Sequence, residues 1–152
     1  MKVISDLVTL LFAASTISFA AEAEKRHAAV KVTEDFYAAV EAGEFGKAQE
    51  FTVPDRYPEK KLQKMRESLR LDEAKVHEAY IGKELSAIVT EVITPRDEGK
   101  WRKGRWGVSL RLVGGTWLIR DFEFLPDEEA VKKYLEEFGE VEPNAEKAKL
   151  GA

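Results

Sequence analysis

The sequence predicts an α+β domain: amino-terminal helices packed on an antiparallel sheet of about four strands, followed by a short carboxyl-terminal helix. Three observations predict it. Between Arg105 and Leu125, two runs dense in Trp, Val, Leu, Ile and Phe flank Gly114-Gly115, a pair that readily supplies the positive φ angles of a tight hairpin turn. From Lys75 to Thr94 the apolar period is two, with a break at Gly82-Lys83, which reads as a second hairpin. Ahead of both, apolar residues from Val30 to Phe51 fall at helical spacing. A two-stranded ribbon is unstable alone, so the hairpins must share a sheet and the helices must cover it.

The elements follow in order. Lys2 and an apolar run centred on Leu7 to Phe19 resemble an export leader, and Ser18-Phe19-Ala20 places small residues where a signal peptidase reads. The expected signal peptide is 1–20, cut after Ala20 or alternatively Ala23. A retained anchor or a buried first helix is the competing reading. The domain then spans 21–138. A first helix is expected from Glu24 to Ala42, ended by Gly43, and a shorter one over Glu44 to Phe51. Thr52 to Tyr57 contains Pro54 and reads as a loop. Pro58 can start a third, surface helix over Glu59 to Arg70, with a stripe of Leu62, Met65 and Leu69. Strands are expected from Lys75 to Ile81 and from Leu85 to Thr94. Pro95 to Gly104 is a charged connection into the ribbon of Trp106 to Phe124. Asp127 can cap a last helix that runs through Phe138 and ends at Gly139, leaving 139–152 as a disordered tail.

Composition narrows the function. The chain has 152 residues, room for one core, and its net charge of -4 lacks the basic surplus of a nucleic-acid binder. Removing 1–20 takes away Lys2 and Asp6 and leaves the balance unchanged. There is no cysteine, so neither disulfides nor lipid attachment through an amino-terminal cysteine is available. A processed chain is therefore expected to be periplasmic or secreted, without a stable membrane anchor.

The stretch Asp35-Phe36-Tyr37-Ala38-Ala39-Val40-Glu41-Ala42-Gly43-Glu44-Phe45-Gly46-Lys47-Ala48, together with the strand Thr116 to Phe124, resembles the nuclear transport factor 2-like superfamily over roughly Ala28 to Leu125. The resemblance implies a strongly curved, cone-like sheet wrapped on one long helix, with a pocket at the open end. That superfamily includes dehydratases, isomerases, transport adaptors and exported domains of unknown function, and this chain looks most like the last group.

Several residues are candidates for chemistry. If Gly114-Gly115 forms a two-residue turn, Asp121 shares the apolar face of Trp117 and Ile119, where a carboxylate with a raised pKa serves as a base or ligand partner. The competing reading has the strand twisting outward, or Asp121 paired with an arginine. Arg120, on the opposite, outer face with Leu118 and Phe122, is either an anion contact or a surface arginine covering apolar area. Tyr37 either offers its hydroxyl to a ligand or packs in the core. His77 is either a base beside Asp121 or a half-exposed strand residue. Lys100 to Trp106 joins four cations to Trp101 and Trp106, an anion-binding or stacking segment if it is more than a charged connection. Trp117 completes the candidate ligand contacts. His27 and His77 lie far apart and no cysteine supplements them, so neither a metal site nor a cofactor is expected. No Gly-rich phosphate loop, Gly-x-Ser-x-Gly elbow or nucleophile with an evident base is present.

The expected function is an exported domain that binds a small molecule in the cone pocket or an envelope protein partner, alone or as a homodimer. The alternative is a small hydrolyase or isomerase in which Asp121, His77 and Tyr37 meet in a closed pocket.

Overall fold

In the computed structural model the described residues are 27–95 and 99–150. The expected leader and its cleavage site lie outside them. Helix α1 spans Ala28–Glu41 and begins where His27 Nδ1 accepts a hydrogen bond from the Ala29 N–H at 3.1 Å. Gly43 ends it in the left-handed conformation, φ 76°, with the Glu44 N–H reaching back to the Ala39 carbonyl. Short helix α2 covers Phe45–Glu50 and α3 covers Glu59–Ser68. Four long strands follow: β1 Arg70–Ile81, β2 Leu85–Pro95, β3 Trp101–Val113 and β4 Thr116–Leu125. Helix α4, Glu128–Val141, is capped by Asp127, whose carboxylate accepts from the Ala130 N–H at 2.8 Å. A two-residue strand β5, Glu146–Lys147, completes the chain.

The sheet is antiparallel throughout, in the order β4-β3-β2-β1-β5. Gly114 and Gly115, at φ 56° and 82°, make the predicted tight turn between Val113 and Thr116. Helix α1 packs on β1, β2 and β4 together. A flat sheet would hold β1 and β4 about 14 Å apart, three strand spacings, beyond the reach of one helix about 10 Å wide. Contact with both strands therefore requires the sheet to curl around the helix. Phe36 and Tyr37 sit in that hollow with Ile88, Val108, Leu110 and Ile119, and Phe36 is wholly buried. The convex face is covered by α4, where Val131 and Tyr134 lie on Val89 and Leu125.

Three expectations need correction. Residues 139–150 are not a structureless tail: they finish α4 and add the short β5 to the expected sheet of about four strands. Gly139 stays in right-handed helix, and α4 ends two residues later. The Glu142 carboxylate then accepts from the backbone N–H groups of Lys83, Glu84 and Leu85 at 3.1, 3.0 and 2.9 Å. Beyond it β5 pairs with the open edge of β1, the Ala148 N–H donates to the Ala79 carbonyl, and Ala148 and Leu150 pack against the core. Second, β1 starts at Arg70, and α3 gives way to it two residues earlier. Third, β3 begins at Trp101, so half of the expected connection is strand.

A cleft between helix α3 and the ends of the strands

Pro58 opens α3 with its fixed φ, and Leu62 is the helix's one fully buried side chain. The helix is thus held by a single stripe over the end of the sheet, and beside that stripe lies an open cleft of about 640 Å³. Its apolar walls come from Met65 and Leu69 of α3 and from Trp106, Phe122 and Phe124 of the sheet. The Trp106 and Phe124 rings meet at 5.4 Å, and Phe124 keeps 38% of its surface exposed. Phe122 joins cleft to core: its ring lies 5.3 Å from Phe36, 6.0 Å from Tyr37 and 5.5 Å edge-on from Tyr57. The Trp106 indole N–H is buried and meets no acceptor among the described residues. Gly104 packs closely against two of the lining residues, since a Cβ there would meet Phe124 and Thr94 at 3.3 Å.

The rim is cationic. Lys61, Lys64 and Arg102 line it, with the Lys61 ammonium 5.0 Å from the centre of the Tyr57 ring. Asp121 also lines the cleft, but its carboxylate accepts from Arg56 Nη2 at 2.8 Å, which holds the guanidinium above its ordinary pKa. Burial, then the nearby Asp121 charge, raises the Tyr57 phenol.

The β-bulge that places Asp121 at the rim overturns the alternation expected for β4. Leu110 pairs with Ile119, but Ser109 pairs with Asp121, so Arg120 is an extra residue. Beyond it the pattern changes phase. Phe122, expected on the outer face, turns inward opposite Val108, while Asp121 turns to the rim and Arg120 is exposed. The arginine partner held open for Asp121 is Arg56.

The other candidates are dispersed. Tyr37 is buried and its hydroxyl is hydrogen-bonded to Thr90 Oγ1 at 2.9 Å, with Thr90 in turn donating to the Trp106 carbonyl at 3.3 Å. Burial pushes the Tyr37 phenol far up. His77 is the extra residue of a second bulge, between Val76 paired with Thr90 and Glu78 paired with Val89, and it is exposed. Two strands separate its strand from that of Asp121, so Asp121, His77 and Tyr37 do not form one constellation. Trp117 is buried against His27, ring centres 6.1 Å apart, and burial lowers the His27 pKa. Trp101 is half-exposed in a separate groove with Arg66 and Arg70. Of the residues singled out in the sequence, Trp106, Asp121 and Arg102 of the Lys100 to Trp106 segment line the cleft. Sequence reasoning missed Tyr57, Phe122, Phe124 and the cationic face of α3, although Lys61, Lys64 and Met65 stand at helical spacing. Among the described residues no three His, Asp or Glu side chains cluster as metal ligands, and no helix is long and apolar enough to cross a membrane.

No family model and no curated protein matches the chain. Solved structures do resemble it. A SEC-C motif containing protein from Rhodopseudomonas palustris superposes with a TM-score of 0.55 at 19% identity, covering 64% of this chain and 80% of that one. A Xanthomonas campestris protein described as a calcium/calmodulin dependent protein kinase II association domain gives a TM-score of 0.43 at 15% identity, covering 64% of this chain and 84% of that one. What the first of these shares with the present chain is its fold, a small α+β domain of helices on an open antiparallel sheet.

Proposed function

We propose that this chain is an exported, non-enzymatic binding domain of the nuclear transport factor 2-like type, and that the cleft beside α3 holds a small molecule. The observation that carries the reading is the open aromatic wall: the rings of Trp106 and Phe124 meet at a tilt with centres 5.4 Å apart and, with Phe122, line a cleft of about 640 Å³, while Phe36 and Tyr37 are packed in the core. That volume lies in the range of small-molecule sites, and a domain this small gains nothing in stability by leaving Phe124 uncovered. The hydroxyl of Tyr37 is engaged by Thr90 and the carboxylate of Asp121 by Arg56, which supports binding over acid–base chemistry.

The test is a thermal-shift screen of the chain from residue 21 against a metabolite library, because a ligand that prefers the folded state raises the melting temperature. A hit is expected whose shift disappears in Phe124→Ala while the ligand-free melting point of that variant stays close to the parent's. Hits that survive Phe124→Ala with undiminished shift place binding elsewhere and refute the cleft. The export reading is checked separately, by mass spectrometry of the amino terminus after expression of the full chain; an uncleaved cytoplasmic product sinks it.

A further inference from the structure

Resting on that reading, we propose that the ligand is an amphipathic anion: an apolar body lying on Trp106, Phe122 and Phe124, with one anionic head between Lys64 and Arg102. The chain is acidic, at net -4, yet the walls of this apolar cleft carry three cations and a single carboxylate. That carboxylate, Asp121, is neutralised by Arg56. Lys61 is placed over the Tyr57 ring, whereas Lys64 and Arg102 have no carboxylate within ion-pair distance among the described residues.

Along β3, Lys103 pairs with Glu91 at 3.4 Å and Arg105 pairs with Glu128, while Arg102 and Arg111 have no carboxylate within ion-pair distance among the described residues; of these two, Arg102 lines the cleft. Lys61 and Lys64 stand three residues apart on α3, so they share a helix face on one side of the cleft and Arg102 approaches from the strand on the other. A neutral apolar ligand uses the wall alone; a positively charged one meets three like charges. An anion with an apolar tail satisfies both surfaces together, with the head close enough to solvent to stay partly hydrated.

The test uses sodium decanoate and 1-decanol, which share an apolar chain and differ in the charge of the head. Isothermal titration is performed on the chain from residue 21, on the double variant Lys64→Gln/Arg102→Gln, and on Phe124→Ala, with urea midpoints confirming that each folds. Saturable one-to-one decanoate binding is expected, about five- to tenfold tighter than decanol, the advantage of solvent-screened charge contacts. That advantage should be lost in the double variant and reduced in high salt, with decanol binding unaffected by either. Equal affinity for the two, or a double variant that keeps the preference, overturns the anionic assignment while Phe124-dependent decanol binding preserves the cleft. Absence of saturable binding by both compounds overturns the amphipathic ligand altogether, and the library screen then decides the broader reading independently.

Discussion

Gly107→Ala should unseat helix α4. A Cβ at Gly107 would lie 2.6, 2.8 and 2.9 Å from Cζ, Cε1 and Cε2 of Tyr134, so the ring stands directly on the strand backbone. Ordinary carbon contacts need about 3.5 Å or more, and the ring must therefore retreat by about 1 Å. That displacement takes the Tyr134 hydroxyl out of reach of Ser109 Oγ, now at 2.9 Å, at a cost of about 1 kcal/mol. Overpacking of the Val89, Leu125 and Val131 cluster adds about 1–3 kcal/mol, and the better strand propensity of alanine offsets about 0.5–1 kcal/mol. A net loss of about 1–3 kcal/mol is expected in urea unfolding. In a Tyr134→Ala background the obstruction is gone, and Gly107→Ala should be neutral or slightly stabilising. The double-mutant cycle should therefore show a coupling of about 1–4 kcal/mol. Additivity within about 0.5 kcal/mol would refute the claim that contact with this ring is what reserves position 107 for glycine.

Two further outcomes follow from the same geometry. Tyr37→Phe removes the partner of Thr90 at the centre of the hollow, where water does not replace it; a loss of about 1 kcal/mol is expected in urea melts, and an unchanged midpoint would show the bond to be dispensable. Glu142 is held below the usual carboxylate range, mainly by its hydrogen bond from the Glu84 N–H; desolvation opposes this, and the hydrogen bonds from Leu85 and Lys83, with the Lys83 charge, reinforce the lowering. A depressed folded pKa stabilises above the unfolded value, about 4.3, and that stability is lost as pH falls through the lower folded value. The stability difference between the parent and Glu142→Gln, no more than about 1 kcal/mol because the group is solvent-screened, should be full at pH 7 and close on acidification below about pH 4. A gap unchanged down to pH 3 would show that Glu142 is not titrating against these three donors.

The elements were legible where a local rule acts alone. Gly114-Gly115 took the positive φ angles its turn needs, Gly43 ended α1 and Asp127 capped α4, because each depends on residues within one turn of itself. The tail was misread for the opposite reason. Glu142 captures a hairpin tip nearly sixty positions earlier, and β5 finds an edge made by β1; neither partner is visible from the composition of 139–152.

The site shows the same division more sharply. Trp106 stood out as an aromatic among cations, but Phe122 was assigned to the wrong face, because strict alternation from the turn holds only until the chain inserts an extra residue at Arg120. Local periodicity thus determined that this chain forms helices and two antiparallel hairpins. Only the assembled sheet decided where the bulge falls, which sends Phe122 inward and Asp121 to Arg56. It also brought the cations of α3 and β3 to opposite sides of one aromatic cleft. Backbone propensities act over a few residues, whereas a bulge register and a shared cavity are set by contacts between strands and helices distant in sequence.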